Sequence, residues 1–117
     1  MSSVILQSFA HGREHGVALA RLLGVPFGDI RVHKFPDGES RVTVAAPAST
    51  TILYCPLDRP NEKLVELALA VEALRRGGAE RLVLVAPYLC YMRQDKVFHE
   101  GEAISQKAIC GWLGALF

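Results

Sequence analysis

Hydrophobic and polar positions along the chain alternate between short apolar runs and stretches of helical period. SVILQS (3–8) is a short apolar run of strand character. It leads into HGREHGVALARLLG, where Ala18, Leu19, Leu22 and Leu23 recur at helical spacing and Gly24 is a natural stop. In Asp29–Phe35, Ile30, Val32 and Lys34 alternate with Arg31, His33 and Phe35. Glu39–Ala46 alternates again, with Val42 and Val44 on one face. Between them stands Pro36-Asp37-Gly38. Proline fixes φ, aspartate bonds back to the chain and glycine accepts positive φ. The pattern predicts an antiparallel hairpin over these two runs.

Thr50–Leu57 is a continuous apolar run and predicts a strand. A helix is predicted to follow, with Leu64, Leu67, Val71 and Leu74 along one face, Pro60 and Asn61 at its start and Gly77–Gly78 at its end. Arg81–Tyr88 is almost wholly apolar, as suits a strand covered on both faces. A last helix is expected from near Ala103, carrying Ile104, Ala108, Ile109 and Leu113. The resulting order is strand, helix, hairpin, strand, helix, strand, helix. It predicts an α/β fold: three layers, a largely parallel sheet with helices on both faces, and a protruding β-hairpin. In such sheets ligands gather beyond the carboxyl ends of the strands. Here those ends are His11–His15, Leu57–Asn61 and Pro87–Gly101.

Composition narrows the possibilities. The chain has 117 residues, half of them hydrophobic and 21% charged, with a formal net charge of +1. That suits one packed domain and offers no global field toward nucleic acid or an anionic membrane. No run approaches the length of a bilayer span. The cysteines, Cys55, Cys90 and Cys110, have no metal-type spacing, and the first two sit in apolar strand surroundings. A reduced, cytoplasmic protein is expected. The histidines (His11, His15, His33 and His99) share no ligand spacing, so no metal-binding residue is assigned. Neither a Gly-rich P-loop nor a dinucleotide fingerprint is present.

Two segments carry the candidate chemistry. Arg93-Gln94-Asp95-Lys96 offers a guanidinium fork for phosphate oxygens, an amide that can read a base edge, and a carboxylate suited to a sugar hydroxyl. A loop of solvated charges and a site for a nucleotide polyphosphate account for it about equally. Phe35-Pro36-Asp37-Gly38-Glu39 on local evidence is an ordinary turn with Phe35 packed beneath it. Alternatively, Phe35 stacks on a flat ring while Asp37 and Glu39 accept hydrogen bonds from it, in its own or a neighbouring subunit. Tyr88 and Tyr91 are expected at the rim, and Trp112 as a packing or interface residue.

FPDGE with Arg41 close behind, PNEKLVELALAVEALRRGGAERLVLVAPY, YMRQDK and EAISQK, in this order and spacing, together resemble the N-terminal half of ribose-phosphate pyrophosphokinase, the phosphoribosyl pyrophosphate synthetase family. The resemblance implies a type I phosphoribosyltransferase-like fold. Residues 1–117 would be the N-terminal ATP-binding domain of a two-domain enzyme whose C-terminal domain is absent. The family transfers the β,γ-diphosphate of Mg-ATP to the 1-hydroxyl of ribose 5-phosphate, giving phosphoribosyl pyrophosphate and AMP. ATP is then a substrate, Mg2+ its companion ion, and ribose 5-phosphate the acceptor, held mostly by the absent half. The resemblance implies ATP binding by Phe35, Asp37 and Glu39 from a hairpin crossing the interface of a homo-oligomer. It implies a second ATP contact from Arg93, Gln94 and Asp95 within one subunit, with Arg93 the candidate catalytic residue. The chain alone is expected to make no product.

This chain departs from the family in two places. Many members carry a basic RSR.PI run where this chain has HEGEAI (99–104), which weakens any anion site there. FAHGREHG replaces a Gly- and Asn-rich opening and leaves His11 and Arg13 unassigned. The alternatives are a catalytically silent, synthetase-like regulatory or nucleotide-binding subunit and a phosphoribosyltransferase-like carrier of another nucleotide.

Overall fold

The computed structural model describes residues 3–117. Its elements are β1 (Val4–Ser8), a short 3-10 turn (Ala10–Gly12), α1 (Arg13–Leu23), β2 (Phe27–Asp29), β3 (Arg31–Lys34), β4 (Ser40–Thr43), β5 (Thr50–Tyr54), α2 (Pro60–Arg76), β6 (Arg81–Val85) and α3 (Ser105–Leu116). The main sheet runs β2-β1-β5-β6 and every pairing in it is parallel. β3 and β4 form a separate antiparallel hairpin, with His33 opposite Arg41 and Lys34 opposite Ser40. Edge strand β2 is not marked in the hydrophobic pattern. The Asp29–Phe35 run breaks at Ile30, whose N–H donates to Ser8 O, and only its second part enters the hairpin.

Alternation along β5 sends Thr51 and Leu53 to one side, Ile52 and Tyr54 to the other. Leu53 joins Leu64, Leu67, Val71 and Leu74 of α2 in the larger core, together with Leu113 of α3 and, partly buried, Val32, Val42 and Val44 of the hairpin. Tyr54 joins Leu6 and Ala20 in the smaller core, beside Leu19, Phe27 and Ile52. Helices thus cover both faces, as the sequence predicts.

The α1 face differs from the expected one. Leu22 and Leu23 are 85% and 52% exposed and Ala18 is exposed, while Gly12, Gly16 and Ala20 are buried. A Cβ at Gly16 would lie 3.0 Å from Ser8 Cβ and 3.3 Å from the Phe27 ring. The helix backbone comes that close to the sheet only where side chains are missing, and this selects the small-residue face over the leucines. Gly24 ends α1 at φ 70°, as expected. The last helix starts at Ser105, since Glu102 and Ala103 stay in the preceding loop. Among the described residues no helix is long and apolar enough to cross a membrane.

Candidate active site

The carboxyl ends of β5 and β6 open onto a cavity of about 830 Å³. One wall is the start of α2, from Arg59 to Lys63, with Glu66 one turn further in; the other is the segment Tyr88–Gln94 after β6. His11, in the turn after β1, closes the floor. Parallel strands bring these loops to one edge, so segments distant in sequence share a site.

Two non-glycine residues with positive φ stand in these walls: Arg59 at 47° and Tyr91 at 62°. Among the described residues there are no others. Such backbone costs on the order of 1–3 kcal/mol per residue and collects at functional positions. Arg59 is the residue before Pro60, which opens α2. Proline disfavours the right-handed helical region for its predecessor, so α2 starts abruptly at Pro60; Arg59 takes the left-handed region and lines the cavity. The Tyr91 hydroxyl donates to Asn61 Oδ1 and ties the two walls together.

The site carries charges of both signs. Arg59, Lys63 and Arg93 line it, with Glu62 and Glu66 as counter-charges. Lys63 Nζ donates to Asp58 Oδ1 at 2.8 Å, and that bond holds the exposed Asp58 carboxyl below its ordinary value. Arg93 is exposed, and no carboxylate among the described residues pairs with it. His11 stacks on Phe9, with centroids 5.4 Å apart. Burial, helped by the nearby Lys63 ammonium, lowers its pKa, so the imidazole stays neutral further into acid than a free histidine. A neutral ring here can accept or donate a hydrogen bond to a bound group.

Arg93 and Gln94 line the cavity, but Asp95 is exposed and outside the lining. Gln94 Nε2 donates to Lys96 O at 2.9 Å and to Glu102 Oε1 at 3.3 Å. Glu102 also accepts the N–H groups of Phe98 (3.1 Å) and His99 (2.7 Å), which lowers its carboxyl pKa. Glu102 therefore folds the loop behind Arg93. No sequence signal marks that role, because it depends on the loop closing on itself.

Phe35, Asp37 and Glu39 lie at the hairpin tip, outside the cavity. Phe35 is 39% exposed rather than packed under the turn. Its ring meets His33 edge-on at 5.0 Å, and the Arg41 guanidinium stands 5.8 Å from its centroid. Glu39 N–H donates to Asp37 Oδ1 at 3.0 Å and keeps that carboxyl's pKa below its ordinary value. Phe35 N–H donates to Glu39 O, and Gly38 takes φ 93°. The tip is thus rigid from within and bare outside. Sequence reasoning singled out Arg93 and Gln94 but left His11, Arg59, Lys63 and Glu66 unassigned. The Arg-Pro step after an apolar strand was the available signal for Arg59. Among the described residues no group of three or more His, Cys, Asp or Glu side chains is placed to hold a metal ion.

Residues 4–116 match the family described as the N-terminal domain of ribose phosphate pyrophosphokinase. The ribose-phosphate pyrophosphokinase of Thermococcus kodakarensis is 37% identical over 107 residues, 91% of this chain and 38% of that protein. Its namesake from Saccharolobus solfataricus is 40% identical over 95 residues, 79% of this chain and 33% of that protein. Among solved structures, phosphoribosylpyrophosphate synthetase from Mycobacterium smegmatis is similar with a TM-score of 0.80 at 25% identity, covering 97% of this chain and 39% of that one. The chain spans a little over a third of the length of the first of these curated relatives and 33% of the second.

Proposed function

Because this chain belongs to the family of ribose-phosphate pyrophosphokinase N-terminal domains, we propose that it is the ATP-binding part of a ribose-phosphate diphosphokinase. The whole enzyme moves the β,γ-diphosphate of Mg-ATP to ribose 5-phosphate. The 1-hydroxyl oxygen bonds to the β-phosphorus and loses its proton, the bond from that phosphorus to the α,β-bridging oxygen breaks, and AMP leaves.

The observation that carries this proposal is the unpaired Arg93 guanidinium on the wall of the cavity at the sheet's carboxyl edge. In-line phosphoryl chemistry asks a protein chiefly for alignment and positive charge. Arg93 is assigned the polyphosphate and the charge that develops on it. Gln94, whose amide protons are engaged by the loop, offers its carbonyl oxygen. Asp95 is assigned to the outer rim. The exposed tip of Phe35, Asp37 and Glu39, which is not part of the lining of the candidate active-site cavity, is assigned the adenine of ATP bound to a neighbouring copy. The working form is then a homo-oligomer, which we assign to the cytoplasm. Magnesium is assigned to the ATP phosphates, as its companion ion. The family match favours a diphosphokinase over a catalytically silent subunit.

The test is kinetic. Arg93→Ala in the full-length protein is expected to lower turnover at least about tenfold, the size of a lost charge-assisted contact in the transition state. Turnover equal to that of the unsubstituted protein would remove Arg93 from the mechanism.

A further inference from the structure

Lys34 and Glu66 join two regions that the proposed function uses separately. Lys34 is the last residue of β3 and directly precedes Phe35. Its ammonium lies 3.5 Å from Glu62 Oε1 and 3.8 Å from Glu66 Oε2, both on α2. Glu66 is 7% exposed and is the one charged residue among the buried positions described. It lines the candidate active-site cavity and also the adjoining cavity beneath the hairpin.

A carboxylate this deep is tolerated when a cation faces it. Burial raises the Glu66 pKa, while the Lys34 ammonium and, more weakly, Lys63 oppose that rise; Glu62 adds to it. The pairing therefore serves Glu66 as much as it serves the hairpin. The hairpin root is held separately by Val32, Val42 and Val44 against the larger core. Beyond Lys34 the hydrogen bonds of the tip are internal: Phe35 to Glu39, Gly38 to Phe35, and Glu39 to Asp37. Lys34 is thus the outermost described anchor between the tip and the body of the domain.

We propose that the Lys34–Glu66 pair, braced by Glu62, is a positioning device that sets the stance of the Phe35–Glu39 tip and thereby its hold on the nucleotide. This rests on the nucleotide-binding role given to the hairpin above. An antiparallel pair fixed only at its root pivots, and a pivoting tip must be ordered again each time ligand binds. The ion pair of Lys34 with Glu66 and Glu62 restricts that freedom in advance. Lys34 touches no reacting atom, so its loss acts on nucleotide affinity more than on the transfer step.

Steady-state kinetics on the full-length protein test this with Lys34→Met, Glu66→Gln, the double variant and Lys34→Arg. Each single replacement is expected to raise the KM for ATP about fivefold, with a smaller change in kcat and the KM for ribose 5-phosphate unmoved. The double variant should be no worse than the worse single, because Lys34→Met already removes the interaction that Glu66→Gln removes. Lys34→Arg should stay close to the unsubstituted protein. Lys34 is exposed, so Lys34→Met keeps the fold even if Glu66→Gln weakens it. An unchanged KM for ATP in Lys34→Met, additive losses in the double variant, or Lys34→Arg as damaging as Lys34→Met would each overturn the proposal. Phe35→Ala, run alongside, separates the two levels. If it raises the KM for ATP and Lys34→Met does not, only the positioning role falls. If Phe35→Ala leaves the KM for ATP unchanged, the hairpin's part in binding falls and the positioning role with it.

Discussion

The three cysteines show how much a residue's chemistry depends on its setting. Cys110 is exposed on α3, whereas Cys55 and Cys90 are buried. Burial pushes the Cys55 thiol up to about 12 and raises that of Cys90 as well. The thiolate is the reactive form, so iodoacetamide at pH 8 should alkylate Cys110 first and reach Cys55 only on unfolding. Mass spectrometry of the native and denatured protein reads this directly, and early labelling of Cys55 would contradict the burial described. The sign for stability follows. The buried neutral thiol contributes fully below its ordinary value of 9.0, and that contribution is lost as pH rises from there toward about 12. Arg93 is the opposite case, because exposure without a partner leaves its charge available for a ligand. The sequence offered Arg93 by residue type, by its place after a buried strand and by the YMRQDK resemblance; its freedom from Asp95 needed coordinates.

At the scale of elements, one contact explains an otherwise plain glycine. The segment after β4 crosses the sheet over β1 and β2, where Gln7 and Gly28 are register partners. Gln7 Nε2 donates to Ala45 O at 3.0 Å, and Ala45 N–H donates to Gln7 Oε1 at 3.1 Å, so a fully buried side chain stands in for a strand partner. A Cβ at Gly28 would lie 2.7 Å from Ala45 Cβ. Gly28→Ala is therefore expected to destabilise by about 1–3 kcal/mol, an overpacking cost. Adding Ala45→Gly should recover much of it, and urea unfolding of the single and double variants measures both. Gln7→Leu should cost about 2 kcal/mol in the same assay, because it strands both polar groups of Ala45. Periodicity foretold the hairpin, α2 and the three longer sheet strands. It could not foretell β2, whose three residues are too few to show a period. It also could not choose the buried face of α1, which backbone proximity decided.

At the scale of the whole molecule, the two candidate ATP segments do not share a cavity lining: Arg93 lines the cavity and Phe35 stands on an exposed tip. If the tip serves a neighbouring copy, Phe35→Ala and Arg93→Ala damage different halves of one composite site. Mixing the two full-length variants, after dissociation and reassembly, should then raise activity above that of either alone. No recovery would place the hairpin's action within its own subunit. The positioning pair at Lys34 gives this arrangement a mechanical basis, since it holds the tip from a helix that also walls the cavity.

By itself the sequence determined the α/β order, the turn at Pro36–Gly38, the core face of α2, and the residue types able to meet a polyphosphate. These depend on periods and turn preferences that neighbours in the chain already fix. Only the tertiary structure decided that Arg59, Lys63, Glu66, His11 and Arg93 surround one cavity, that Glu102 folds the loop behind Arg93, and that Lys34 reaches a buried carboxylate. Each of those facts joins residues far apart in the chain or rests on how a loop closes on itself. Their energies come from burial and charge pairing between surfaces that exist only once the sheet has assembled.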